Sequence, residues 1–298
     1  MLAVLHGFFI IFTVIFAGYL LSLTAIISSE EQRLILNKVA FYLATPALIF
    51  TVLAKAKPET LTSPIIGIST ISALLTASIF VLFMRSDRAS TTIGAASASY
   101  VNSNNIGLPV GIYMLGNAAY VAPLLLVQMV FFTPIILALI APRKNWHSII
   151  RAVSSPIVIG SVLGMCVSLL RIEIPGLVMD PLELIGGASI PMILLSFGAS
   201  LRGAKPLSNN IYRRPMLFAT TLKVVIMPMV AYCIGRLCGL PADQLYAVTI
   251  LAALPTAQNI YNYAATYQRG EAVARNTVLL STFCSLPAML IIAALLSS

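Results

Sequence analysis

The chain reads as long apolar stretches separated by short polar connectors. Segments such as 66–83 and 121–141 are apolar on every face, without the two-residue alternation of a barrel strand. A bilayer interior offers no water to unpaired backbone groups, and a helix needs about 20 apolar residues to cross it. The pattern therefore predicts helices, with spans at 2–24, 34–54, 63–84, 90–116, 119–141, 153–171, 182–202, 214–237, 243–267 and 273–296. The connectors include Ser28–Gln32, Arg85–Ala89, Pro142–His147 and Gly203–Asn210, all too short to be soluble domains. Leu2–Leu23 is longer than a signal-peptide core and lacks a basic start, so it is expected to be retained as the first span.

The expected fold is thus an all-α membrane protein of ten transmembrane helices in the plasma or inner membrane. Composition agrees: of 298 residues 59% are hydrophobic and 9% charged, against roughly 25% charged in soluble domains. The formal charge of +9 raises the question of nucleic acid, but no basic block or aromatic platform accompanies it. Loop sorting explains it better. Thirteen Lys and Arg fall on the side opposite the termini, four (Lys55, Lys57, Arg171, Arg236) on the termini side, and Lys223 lies inside the eighth span. Cytoplasmic loops collect basic residues, which places both termini outside.

Pro46 and Pro109 lie 63 residues apart in spans two and four, and Pro191 and Pro255 lie 64 apart in spans seven and nine. Five spans per half is an odd number, so the second half enters the membrane from the opposite face. The expectation is a 5+5 inverted-topology repeat: residues 1–141, a cytoplasmic linker 142–152, and residues 153–298. Interrupted helices at corresponding positions of such repeats point to a substrate site. Span four carries Asn102, Asn104, Asn105, Gly107 and Pro109, and span nine carries Pro255, Thr256, Gln258, Asn259 and Asn262. Proline removes a donor and Asn and Gly favour irregular backbone, so both spans are expected to break and cross at mid-membrane. Half-helix N-termini there would suit an anionic group, with amides adding uncharged hydrogen bonds. The competing reading makes the prolines kinks and the amides interhelical glue.

Other candidates are fewer. No acidic residue sits clearly at mid-span, and Lys223 is the one embedded charge. It is a candidate for attracting an anion, for replacing a bound cation, or for snorkelling to the interface. Gln128 reads as a packing amide or a cavity lining, and His6 and His147 as interfacial. Cys166, Cys233, Cys238 and Cys284 form no disulfide framework or metal spacing. No nucleotide loop, nucleophile–base pair or metal set appears, so neither an enzyme nor a cofactor is expected.

Asn102 with Gly107-Leu108-Pro109, Leu254-Pro255 with Asn259, Asn37-Lys38 leading to Pro46, and Ser196-Phe197-Gly198 together resemble the auxin efflux carrier family, in its compact bacterial form. The resemblance implies a fold similar to bile-acid symporters and sodium/proton antiporters. It implies a scaffold of spans 1, 2, 6 and 7 and a transport unit of spans 3–5 and 8–10. It implies a secondary carrier of small organic anions (malate-, malonate- or auxin-like) working by elevator-type alternating access, with Asn102 on the substrate and Pro109 and Pro255 at the crossover. Spans 2 and 7 often mediate dimerisation in such carriers, so a homodimer is a further expectation. The acidic residues that antiporters of this fold place beside the crossover are missing here. That speaks against a carboxylate proton relay and leaves sodium coupling or uniport open. An anion channel, a non-transporting sensor and a sodium symporter of bile-acid-like substrates are the alternatives.

Overall fold

A computed structural model describes residues 2–24, 26–56, 58, 64–117, 120–140, 156–202 and 212–296. The expected linker 142–152 and His147 lie outside the described residues, as does the side chain of His6. Within them the chain is helical, with an isolated antiparallel bridge between Val101 and Thr256 and no named strand. Four helical stretches have the length and apolar character to cross a bilayer: Pro64–Phe83, Gly176–Ser196, Arg213–Leu237 and Glu271–Leu296. Shorter apolar helices accompany them at Phe12–Leu23, Tyr42–Lys55, Pro156–Leu169 and Ala242–Ala253.

The helices are α1 (Leu2–Leu23), α2 (Glu30–Val39), α3 (Thr45–Lys55), α4 (Pro64–Phe83), α5 (Arg88–Ser99), α6 (Leu108–Tyr113), α7 (Ala122–Val127) and α8 (Thr133–Ile140). They continue with α9 (Pro156–Leu169), α10 (Gly176–Gly187), α11 (Ser189–Ser200), α12 (Arg213–Thr221), α13 (Met227–Leu237), α14 (Ala242–Ala253), α15 (Gln258–Tyr267) and α16 (Glu271–Leu296). Helix α4 illustrates what solvent they face. Its small hydroxyl residues Ser69, Ser72 and Thr76 point inward, while Ile71, Leu74, Leu75 and Leu82 point outward. Ser72 and Thr76 satisfy their hydroxyls on the carbonyls of Ile68 and Ser72, at 2.7 and 2.6 Å. The Ser69 hydroxyl is buried without a partner among the described residues. Large apolar groups outside and small polar groups inside is the arrangement a hydrocarbon solvent favours.

Prolines act in a way the sequence pattern does not reveal. Four π-helical turns, Ala40–Ala44, Ser103–Gly107, Gln128–Phe132 and Leu222–Ile226, each end two residues before a proline: Pro46, Pro109, Pro134 and Pro228. Proline cannot donate and its ring presses on the carbonyl one turn back; a wider turn relieves both problems without ending the helix. The helix through Pro46 and the stretch from Arg213 to Leu237 therefore continue past their prolines.

Two helix pairs pack backbone to backbone through glycine. A Cβ on Gly18 would run into the Leu195 carbonyl, and one on Gly198 into the Ile15 carbonyl, so α1 and α11 meet without intervening side chains. A Cβ on Gly160 or Gly164 would lie 2.7 Å from the carbonyls of Pro46 or Phe50, which joins α9 to α3 in the same manner. Each pair runs parallel. Arg202, just past α11, donates to the Ser22 carbonyl near the end of α1, and Ser168 near the end of α9 donates to the Ala56 carbonyl just past α3, at 2.6 Å. Close approach of this kind replaces the hydrophobic drive that lipid removes. Between the pairs, the Thr45 and Ser189 hydroxyls share a buried hydrogen bond of 2.6 Å.

Candidate functional site

Helix α5 is narrow: Gly94 to Ser99 are all small and all buried, and Gly94 seats the Phe80 ring. It stops at Tyr100, whose backbone turns extended (φ −80, ψ 112). Helix α14 stops in the same way at Leu254 (φ −54, ψ 145), because Pro255 disfavours helical backbone in the residue before it. The two extended stretches lie side by side. Asn102 donates its N–H to the Pro255 carbonyl at 2.8 Å, and Ala257 donates to the Tyr100 carbonyl at 3.1 Å. Val101 and Thr256 face each other as an antiparallel bridge.

Breaking two helices orphans the carbonyls of their last turns, and buried polar groups need partners. The Ser97 carbonyl accepts from Thr256 Oγ1 at 2.6 Å. The Thr256 N–H goes to Ser281 Oγ at 3.0 Å. The Ala252 carbonyl accepts from Lys223 Nζ at 2.6 Å. The Val101 carbonyl accepts from Gln128 Nε2 at 3.2 Å, and Gln128 Oε1 in turn accepts from the Ser103 hydroxyl. Beside the crossing, the Tyr100 and Tyr263 hydroxyls converge on Thr133 Oγ1, at 2.9 and 3.5 Å.

The candidates from the sequence divide accordingly. Asn102, Pro255 and Thr256 are buried in the crossing, and Lys223 is enclosed against it. Gly107 closes the π turn by donating to the Asn102 carbonyl at 2.8 Å, and a Cβ there would stand 3.1 Å from both Leu254 and Val121 side chains. Gln258 and Asn259 open α15, half-buried. The backbones of Asn104 and Asn105 lie in the π turn and that of Asn262 in α15, while their side chains lie outside the described residues. Pro109 stands apart: it is in the first turn of α6, seven residues beyond Asn102, and the residue opposite Thr256 is Val101. The near-equal proline spacings thus do not mark equivalent residues, since Pro109 follows a π turn and Pro255 a full break.

Gln128, read from the sequence as a packing amide or a cavity lining, bonds the broken stretch twice, through the Val101 carbonyl and the Ser103 hydroxyl. Ser97, Ser281, Thr133 and Tyr100 take part without a sequence motif to mark them. Their signal is weak, since lone hydroxyls in apolar helices usually bond back to their own turn. A cleft of about 620 Å³ lies elsewhere, lined by connector and helix-end residues including Ser86, Ser90, Gln268, Arg269 and Arg275.

Two broken helices paired in the interior of a polytopic helical chain are an arrangement in which many membrane carriers hold their substrate sites. The sequence model of the family described as membrane transport protein matches residues 3–149 and 142–293. The chain belongs to that family, the auxin efflux carriers, and is a multi-pass membrane transporter rather than an enzyme. It is similar to a protein of Rhizobium meliloti (strain 1021) named "Putative malonate transporter", 25% identical over 292 residues, covering 92% of this chain and 90% of the relative. It is also similar to the Escherichia coli (strain K12) protein named "Uncharacterized transporter YfdV", 23% identical over 248 residues and 77% of each chain.

Proposed function

We propose that the protein is a secondary carrier of small organic anions, of the size and charge of malonate or related mono- and dicarboxylates, working by alternating access. The observation that carries this reading is the antiparallel pairing of Tyr100–Asn102 with Pro255–Ala257. In this reading the starts of two half-helices, with Asn102, Gln258 and Asn259, turn toward one interior point. Helix N-termini carry partial positive charge and unpaired N–H groups, which suits a carboxylate. The malonate in the Rhizobium relative's name is consistent with that chemistry. Asn104, Asn105, Gly107, Pro109, Pro255, Thr256 and Asn262 complete the proposed site, with Pro109 shaping the turn from outside the break.

In this reading ten spans form two inverted five-helix halves, 1–141 and 153–298, with both termini outside. The pairs α1–α11 and α9–α3 support it: both are parallel, both are seated on glycine, and the repeat would exchange one for the other. They would form the scaffold, against which the unit holding the crossing moves as an elevator. Homodimerisation through spans 2 and 7 belongs to the same proposal.

The test is current and flux in proteoliposomes as mono- and dicarboxylates are added with and without sodium and pH gradients. Saturable, substrate-specific flux is expected, lost in Asn102→Ala and Asn259→Ala. Unchanged flux in correctly inserted mutants would remove the site from the crossing. Unsaturable current at high open probability would make the protein a channel.

A further inference from the structure

Three connectors meet away from the crossing: the turn from α4 to α5, the start of α12, and the turn from α15 to α16. Between them lies the cleft of about 620 Å³, a ligand-sized space. Ser86 and Thr91 line it from the first connector, Tyr212 from the second, and Arg269 and Arg275 from the third. Residues 85–91, 212–215 and 268–275 hold six arginines (Arg85, Arg88, Arg213, Arg214, Arg269 and Arg275), no lysine, and two acids, Asp87 and Glu271. The loop charge bias accounts for thirteen basic residues on this side of the membrane. It does not require that six of them gather around one cleft, or that all six be arginine.

The turn that carries Arg269 is fixed in place. Gln268 (φ 52) and Gly270 (φ 60) both take left-handed backbone, which bends the chain sharply and sets Arg269 between them. The turn is seated on α5, since a Cβ on Gly270 would stand 3.0 Å from the Ile93 side chain. The arginine charges are not neutralised within the cleft. Arg269 is within electrostatic reach of Asp87, whose Oδ1 is engaged by the Ala89 and Ser90 N–H groups. Glu271 stands one turn before Arg275 without pairing to it; among the described residues Lys55 with Glu183 is the ion pair found. The Ser86 N–H donates to Thr91 Oγ1 at 2.9 Å, which leaves the Thr91 O–H as a donor.

The rest of the lining includes apolar groups, Phe80, Met84, Pro215 and Val273. At neighbouring positions Leu82, Phe83 and Leu217 are exposed, as on a lipid-facing surface. Arginines beside an apolar lining fit a ligand with a charged head and an apolar tail better than a fully soluble anion. Guanidinium forks take phosphate oxygens two at a time, and basic pockets between membrane helices on the cytoplasmic side hold anionic headgroups. In the orientation proposed above, this end is cytoplasmic.

We propose that the cleft binds the phosphate of an anionic phospholipid, with Arg269 and Arg275 as its principal ligands and the Ser86, Thr91 and Tyr212 hydroxyls as further donors. The headgroup then fastens α4, α5, α12 and α16 to one another at the membrane surface.

The test is thermal unfolding of the full chain in detergent with added phosphatidylglycerol, phosphatidylcholine or inorganic phosphate. Phosphatidylglycerol is expected to raise the Tm saturably, and the other two to leave it unchanged. Arg269→Gln combined with Arg275→Gln should weaken the apparent affinity about thirtyfold, from about fivefold for each arginine lost. Arg33→Gln combined with Lys38→Gln removes the same charge from α2, outside the cleft lining, and should weaken it by about twofold or less. Equal loss in the two double variants, or equal stabilisation by phosphatidylcholine, overturns the proposal. Stabilisation by inorganic phosphate that matches phosphatidylglycerol makes the occupant a soluble anion and overturns it too. Native mass spectra of the wild type need no variant. From an equal mixture, phosphatidylglycerol should be retained over phosphatidylcholine about fivefold or more, and equal retention refutes the site. Both measurements are made without flux or sidedness, so a failure of the carrier reading leaves their outcome intact.

Discussion

Thr256 donates its hydroxyl to the carbonyl of Ser97, 2.6 Å away across 159 residues of chain. The same residue's N–H is taken by Ser281. One threonine thus fastens the break in one helix to the last turn of the other and to α16. In a medium without water, each bond left unmade costs the desolvation of its surviving partner.

Thr256→Val keeps the shape and removes the hydroxyl, stranding the Ser97 carbonyl. The expected loss is about 1–3 kcal/mol of stability, read as a lower Tm in detergent. Thr256→Ser should restore most of it. A valine variant as stable as the wild type would mean the Ser97 carbonyl finds another donor.

Gly198→Ala places a methyl on the Ile15 carbonyl, backbone against backbone, where no rotamer change helps. Overpacking typically costs about 1–3 kcal/mol, and rigid backbone puts this case at the upper end or beyond. Gly67→Ala in α4 meets nothing within 4 Å and serves as the control. Size-exclusion profiles and Tm should show Gly198→Ala impaired and Gly67→Ala unaffected; equal behaviour would contradict the close α1–α11 contact.

Gln128→Leu removes the acceptor of the Ser103 hydroxyl and one of the two bonds on the Val101 carbonyl, which keeps the Ser103 N–H at 2.8 Å, while leucine is apolar and similar in size. Gln128 acts through the backbone beside Asn102, so the carrier reading predicts about a tenfold rise in KM, roughly 1.4 kcal/mol. Flux measured against substrate concentration checks this, and an unchanged KM would reduce Gln128 to packing.

Asp87 caps α5, accepting from the N–H groups of Ala89 and Ser90, both at 3.1 Å. Hydrogen bonding from the Ser90 side chain, then from its backbone, holds the carboxyl below its ordinary pKa. A depressed folded pKa gives stability that is present above the unfolded value and lost as pH falls through the folded one. Asp87→Ala should therefore cost about 1 kcal/mol at neutral pH. The gap to wild type should close in the acid range below about pH 4. Tm measured across pH tests it; a gap independent of pH would mean the charge plays no part in the cap.

The sequence alone determined that the chain is a helical membrane protein, because helix is a backbone's means of satisfying itself in lipid within one segment. It also located the irregular backbone: Asn102 and Pro255-Thr256 are polar and helix-breaking in the midst of apolar residues. What followed from each proline was not local. Pro109 and Pro228 yield π turns and Pro255 yields a break, and the difference lies in which neighbours take up the orphaned groups. The chain around Ala252 specifies that its carbonyl loses a donor. Only the packing of α13 and of the π turn Leu222–Ile226 against α14 decides that the replacement is Lys223, just as packing brings Gln128 to Val101 and Thr256 to Ser97. A missing hydrogen bond is written in the sequence; its replacement comes from residues 27 to 159 positions away and is settled by the tertiary structure.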